Sequence, residues 1–249
     1  MKKIINSKKK ISMKKIIILF ALSLSFWGCS KEEELVDNTI EVKTDNLSLA
    51  PKQSYDTKAV SNLKITYSSE NEFYAAVSDN GIITGGKVGT TNIILDNGVD
   101  NKTIKVTTIS SNYLYPDPIL DFGSSKNSII SKLGTPAYQA TGGNISGIRY
   151  DNATNTTLGT AYYFTDDKLT LIQTRVKTEY STLLSSYLTD RFAPVAQSDG
   201  SFFFINALTP SKVTIAVRLT LESVDYWDVV YMAYTSSSKL QSNIKLSVF

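Results

Sequence analysis

Val213, Ile215, Val217, Leu219 and Leu221 alternate without a break with Lys212, Thr214, Ala216, Arg218, Thr220 and Glu222. Successive side chains of a strand point to opposite faces, so a period of two suits a half-buried strand and does not suit a helix. The stretch predicts a long strand, apolar on one face and mostly polar on the other. Shorter runs of the same kind occur earlier, at Leu47 and Leu49, at Leu63, Ile65 and Tyr67, at Ile93 and Leu95, and at Ile104 and Val106. Ala76-Val77 and Ile82-Ile83-Thr84 flank Asp79-Asn80-Gly81, and Asp96-Asn97-Gly98 follows Leu95. Asparagine and glycine accept positive φ, so both triplets read as hairpin turns. Asp79 and Asp96 are turn residues on this reading, since no array of further oxygen ligands is spaced around them to hold calcium.

The pattern changes after residue 109. Tyr113-Leu114-Tyr115-Pro116-Asp117-Pro118 carries two prolines that forbid a helix, and residues 110–118 read as a stiff linker. Ser124-Ser125 then offers a helix cap, with Ile129, Ile130 and Leu133 on one face and Gly134 and Pro136 ending the run. Strands are expected around Ile148 and Tyr150, at Ala161–Phe164 and at Lys168–Val176. Asp166-Asp167 turns the last two. Adjacent carboxylates on a turn point apart and stay solvated, which argues against an acid/base pair there.

The same order recurs. Tyr180, Leu183, Leu184, Tyr187, Leu188 and Phe192 follow helical spacing. A break at Pro194 leads to Phe202–Ile205, then to the long alternating strand and a last one from Trp227 to Tyr234. Residues 119–249 therefore read as a tandem α-β-β-β. Both helices would cover one face of an antiparallel sheet, giving an α+β two-layer domain. The helical stripe could serve a partner instead, but covering an otherwise bare sheet is the plainer use.

Composition narrows the chemistry. The chain has no histidine and one cysteine, so the usual zinc sites, the serine–histidine triads, the commonest general base and any internal disulfide are absent. No pair of carboxylates is spaced to suggest a cleft. The expectation is a protein without catalytic activity, cofactor or metal. Seven lysines and no acid lie in residues 1–28, so the formal +3 of the whole chain becomes −4 from Cys29 onward. That sign excludes nucleic acid as an electrostatic partner.

Those lysines belong to a targeting segment. Lys14 and Lys15 precede an apolar run of 12 residues, Ile16 to Trp27, which ends in Gly28-Cys29. A spanning helix needs about 20 residues, so residues 1–28 read as a signal peptide and not as a membrane span. Met13-Lys14-Lys15 repeats Met1-Lys2-Lys3, which makes Met13 a second candidate start. Leu24-Ser25-Phe26-Trp27-Gly28-Cys29 resembles the lipobox of bacterial lipoproteins, with Phe26 in place of the usual leucine. The resemblance implies lipidation of Cys29, with residues 29–35 as the tether and the membrane as a partner through the lipid. Ser30-Lys31-Glu32-Glu33-Glu34 resembles the acidic export signal that sends some Gram-negative lipoproteins to the cell surface. A solvated acidic tether is the simpler reading of the same residues.

Two further resemblances concern the body of the chain. Ile65–Asn71, Ala76–Gly85, Lys87–Ile93 and Lys105–Thr107 follow in the order seen in the bacterial immunoglobulin-like group 2 family. Gly81, Gly85 and Gly89 stand at its tight turns, and Tyr67 stands where the family has a tryptophan. This implies an all-β immunoglobulin-like sandwich over residues 36–109, of the kind used chiefly as a spacer in surface and adhesion proteins. Phe122-Gly123-Ser124-Ser125, Ile129, Leu133-Gly134-Thr135-Pro136, Tyr150 and Tyr162–Leu169 resemble the small outer-membrane assembly lipoproteins and β-lactamase inhibitory protein. Asp167 replaces the turn glycine. That resemblance implies protein binding through the sheet, not catalysis.

Asp225-Tyr226-Trp227-Asp228 sets two carboxylates beside two aromatic rings, a composition suited to sugar stacking or protein contact. A hairpin shoulder with its rings in the core is the structural alternative. The expected function is an outer-membrane, surface-exposed lipoprotein that binds a protein or glycan. The competing expectation is a periplasm-facing lipoprotein that supports envelope assembly or inhibits an envelope enzyme.

Overall fold

The computed structural model describes residues 36–152 and 154–234. Residues 1–35, on which the expected signal peptide, the lipidated Cys29 and the export signal Ser30–Glu34 fall, and the residues after 234 lie outside the described residues. The fold is mostly β. Seven strands come first: β1 (Asn46–Leu49), β2 (Ser54–Asp56), β3 (Thr66–Ser69), β4 (Ala75–Val77), β5 (Ile82–Gly85), β6 (Gly89–Asp96) and β7 (Asn101–Thr108). They form two sheets, ordered β1-β7-β6-β3 and β2-β5-β4. β1 runs parallel to β7, and the other pairs are antiparallel.

Alternation decides which side chains meet between these sheets. Ile93 and Leu95 of β6, Ile104 and Val106 of β7, and Ile83 of β5 are fully buried together with Ile40, Leu49 and Ala75. Both expected turns are in place. Gly81 has φ +76, and a Cβ there would lie 2.8 Å from the Tyr67 ring and 2.7 Å from Thr57 Oγ1. Gly89 has φ +152 and lies under the Tyr74 ring, 2.4 Å from where a Cβ would stand. In the second turn Asn97 Oδ1 accepts from the N–H of Val99 and of Asp100. Its Nδ2 donates to Asn38 O and to Ser61 Oγ. The strand expected from Leu63 begins only at Thr66, and Leu63 itself is 37% exposed.

The remainder contains α1 (Lys126–Leu133), β8 (Tyr138–Gly142), β9 (Ile145–Tyr150), β10 (Thr157–Thr165) and β11 (Lys168–Lys177). It continues with α2 (Ser181–Arg191), β12 (Ala193–Ser198), β13 (Ser201–Ile205), β14 (Ile215–Leu221) and β15 (Tyr226–Ala233). Ser125 caps α1, its hydroxyl accepting from Ser128 N at 3.2 Å, and Gly134 follows the helix. The eight strands form one antiparallel sheet, ordered β12-β13-β14-β15-β11-β10-β9-β8. Each helix is thus followed by a meander of four strands, and the last strands of the two meanders pair at the centre. The expected three strands per repeat are corrected to four. The additional ones, β8 and β12, are the sheet edges. Both are largely exposed, so neither has the buried face that makes a period of two visible in a sequence. Pro194 falls within β12, where an edge position tolerates the missing N–H.

Cross-strand partners share a face, and one row crosses six strands through Ile148, Tyr162, Ile172, Tyr231, Val217 and Phe204. All six belong to one buried cluster with Ile129 of α1 and Leu184, Tyr187 and Leu188 of α2. Ala161, Tyr163, Leu171 and Val230 form a separate cluster, and their register places them on the opposite face. Leu114 and Tyr115 are also buried in the large cluster, at 1% and 0% exposure. The segment expected to be a linker is therefore folded into the core. The described residues from Asn38 onward form one compact unit.

Candidate functional site

The four neighbouring residues Asp225, Tyr226, Trp227 and Asp228 do not make one patch, because strand alternation separates them. Trp227 packs against the large cluster, makes an edge contact with Phe202 at 6.5 Å, and donates from Nε1 to Ser181 Oγ at 2.9 Å. Tyr226 and Asp228 lie on the opposite face, beside Lys177 and Arg175. Asp225 sits at the exposed hairpin, its carbonyl accepting from Thr178 N at 2.9 Å.

Asp228 is 7% exposed and joins a row of polar side chains. Its Oδ1 accepts from Arg175 Nε at 2.9 Å, and its Oδ2 accepts from Arg175 Nη2 at 3.3 Å and from Gln173 Nε2 at 2.7 Å. Tyr163 donates from its hydroxyl to Gln173 Oε1 at 3.1 Å. Burial opposes the charge on Arg175, but the hydrogen bond and charge of Asp228 outweigh it and raise the guanidinium pKa. Asp166 and Asp167 form the tight turn at φ +51 and +59, and they serve structure. Asp167 Oδ1 accepts from Lys126 N at the start of α1, and Asp166 Oδ1 accepts from Asn144 Nδ2.

A second group of polar residues gathers where the first seven strands meet α2. The last carbonyls of a helix have no partners inside it. Here the loop between β5 and β6 supplies them: Val88 N donates to Asp190 O at 2.8 Å, and Lys87 Nζ donates to Thr189 O at 2.5 Å. Burial lowers the Lys87 pKa, against the pull of Asp190. A carboxylate in the last helical turn is disfavoured by the helix dipole. Asp190 Oδ2 offsets this by accepting from Ser110 Oγ at 2.5 Å and from Asn112 Nδ2 at 2.7 Å.

One turn earlier on α2, the Tyr187 hydroxyl donates to Asp117 Oδ1 at 2.5 Å, and Arg191 Nε donates to the same oxygen at 2.6 Å. The Arg191 guanidinium also lies 3.7 Å from the centre of the Tyr187 ring. Tyr115 and Tyr231 share a hydroxyl–hydroxyl bond of 2.7 Å, and the Tyr115 and Tyr187 rings are 4.4 Å apart. Burial pushes the pKa of all three tyrosines far up, so they stay neutral hydrogen-bonding groups.

Beside this cluster is a chamber of about 150 Å³, walled by Phe73, Tyr74 and Val88 from the first seven strands and by Leu120, Phe192 and Ile215 from the rest. Phe73, Tyr74 and Asn206 also line an adjoining trough of about 470 Å³, whose charged residues are Glu70, Glu72 and Lys212. The sequence offered no sign of this cleft, since its walls come from segments scattered between Phe73 and Tyr231. Among the described residues, no cluster of acidic or cysteine side chains is arranged to hold a metal ion. Among them too, no helix is long and apolar enough to cross a membrane.

No family model and no curated protein matches the chain. Among solved structures it is similar to domains 4–9 of the surface layer protein SbsC, with 14% identity, a TM-score of 0.28, 82% of this chain covered and 28% of that one. It is also similar to domains 5–6 of the S-layer protein SbsC, with 14% identity, a TM-score of 0.25 and coverages of 80% and 85%. An extracellular protein containing an SCP domain, from Bacillus anthracis str. Ames, is similar at 10% identity and a TM-score of 0.25, with coverages of 50% and 49%. The chain thus spans 28% of the length of the first of these structures.

Proposed function

We propose that this chain is a lipid-anchored outer-membrane protein, displayed at the cell surface, that binds a protein or glycan and performs no catalysis. The first seven strands are a bacterial immunoglobulin-like group 2 module, and the remainder is an α+β two-layer domain. The carrying observation is the cleft walled jointly by the two parts, since junctions between domains are preferred places for ligand sites. The signal-like run ending in Gly28-Cys29 and the acidic Ser30–Glu34 support anchoring and display. Two or three acyl chains at ~0.8 kcal/mol per buried methylene hold a soluble domain firmly at a bilayer. The immunoglobulin-like module acts as a stalk, held stiffly by the hydrogen bonds to Thr189 and Asp190.

Metabolic labelling with an alkyne fatty acid tests the anchor. The label is expected on the full chain and lost in Cys29→Ser, and an unlabelled wild-type chain overturns it. Protease shaving of intact cells tests display. The resemblance of residues 122–169 to envelope-assembly lipoproteins favours the periplasm-facing alternative, in which the chain supports assembly or inhibits an envelope enzyme. Protection from shaving would select that reading.

A further inference from the structure

We infer that the chamber and trough form one site for an extended peptide segment that carries an aromatic anchor residue next to a basic one. The inference rests on the binding role proposed above and names the class of ligand.

The size and lining of the chamber determine the anchor. A cavity of about 150 Å³ with mostly apolar walls accepts one benzene-sized ring. The lining residues Asp117, Tyr187, Arg191, Asn206 and Tyr231 are already hydrogen-bonded within the protein. Asp117 already accepts from both Tyr187 and Arg191, and Arg191 also donates to the Tyr187 carbonyl at 3.2 Å. A sugar placed in the chamber would bury most of its hydroxyls against carbon, whereas a phenyl ring would bury only carbon.

The trough determines what flanks the anchor. Asn71, Thr209 and Thr214 place amide and hydroxyl groups along it, as a peptide backbone requires. Its charges are two glutamates, Glu70 and Glu72, against one lysine, Lys212. Among the described residues none of the three is in an ion pair. Glu70 Oε2 accepts from Asn92 Nδ2 at 3.0 Å, which leaves Glu72 as the carboxylate for an incoming cation. The excess of one negative charge favours a basic neighbour to the anchor.

The test is calorimetric titration of the full mature chain with the peptide acetyl-Gly-Lys-Phe-Ser-Gly-amide. Saturable one-to-one binding is expected. Changing the phenylalanine of the peptide to serine is expected to abolish it, and changing the lysine to glutamate to weaken it on the order of threefold, as for an exposed pair. Val88→Trp fills the chamber and is expected to cost tenfold or more in affinity, and Leu120→Trp fills it from the opposite wall, with circular dichroism reporting that each variant is folded. The unaltered chain supplies a check free of variants, because toluene is expected to compete with the phenylalanine peptide. Equal binding of the serine peptide, no binding of any peptide, or no competition by toluene would overturn the inference. Loss of peptide binding in a chain that still carries lipid and is shaved from cells would defeat this inference alone and leave the anchoring reading in place.

Discussion

The backbone N–H of Val88 donates to the backbone carbonyl of Asp190 at 2.8 Å, so a loop of the first sheet pair caps the second helix. Lys87 repeats the arrangement at Thr189, and Phe73, from the same side of the junction, is only 3% exposed. Helix ends are ordinarily satisfied by nearby residues or by water. Here the partners lie about a hundred positions away, which couples the end of the helix to the placement of the first seven strands.

Asp190→Ala removes the acceptor shared by Ser110 and Asn112. Hydrogen bonds to a charged group contribute about 1.5–3 kcal/mol. Relief of the unfavourable helix dipole returns ~0.3–1 kcal/mol. The expected net loss is about 1–2 kcal/mol, read by urea unfolding, together with a broader distribution of shapes in small-angle scattering. An unchanged midpoint and scattering curve would show that the Asp190 carboxylate does not hold Ser110 and Asn112 to the helix.

The paired hydroxyls of Tyr115 and Tyr231 predict a non-additive cycle. Tyr231→Phe leaves the buried Tyr115 hydroxyl without this partner and should cost about 1–3 kcal/mol. Adding Tyr115→Phe removes the stranded group, so the double variant should be no less stable than the single one. Additive losses in chemical unfolding would show that the bond is not the main term.

Tyr115, Tyr187 and Tyr231 bind their protons more tightly folded than unfolded, chiefly through burial. The unfolded chain loses these protons near pH 10, where the folded chain keeps them. Stability is therefore full below that pH and falls as pH rises above it. Melting temperature should decline above pH 10, and Tyr187→Phe should flatten the decline. Ultraviolet titration should show these rings ionising only on unfolding.

Asp100 behaves in the opposite sense at acid pH. Its carboxylate accepts from Ile40 N at 2.7 Å and from Asn101 N at 2.8 Å, and these bonds lower its pKa below 3.8. A carboxylate with a depressed folded pKa adds stability above its unfolded pKa and loses it as pH falls through the folded value. The protection of the Ile40 amide, taken relative to its intrinsic exchange rate, should fall as pH drops below the ordinary aspartate range. In Asp100→Asn the exchange should be faster at neutral pH, with a weaker dependence on acid.

Much of the fold is legible along the chain. The strand β14 follows from four of the five alternating apolar residues, Val213 lying before it, and α2 follows from the helical spacing of Leu184, Tyr187 and Leu188. The turn at Gly81 follows from its neighbours Asp79 and Asn80. These features rest on local rules, in which period, propensity and turn chemistry act over a few residues. The edges β8 and β12 were not legible, because exposed strands lack a buried face and Pro194 argues against one. Likewise the two prolines at 116 and 118 mark a stiff joint, yet nothing local says that Leu114 and Tyr115 turn into the core.

What the sequence determined by itself is therefore the β-rich, helix-punctuated plan, the leader-like segment with its cysteine, and the absence of histidine chemistry. Only the tertiary structure decided which distant groups meet. It parted Trp227 from Asp228 by the alternation of a strand, brought Asp117 onto Tyr187 and Arg191, and opened a cleft between Phe73 and Phe192. The physical reason is range: periodicity and turn preference act over a handful of bonds, whereas a site is made by packing that joins segments according to shape, whatever their distance along the chain.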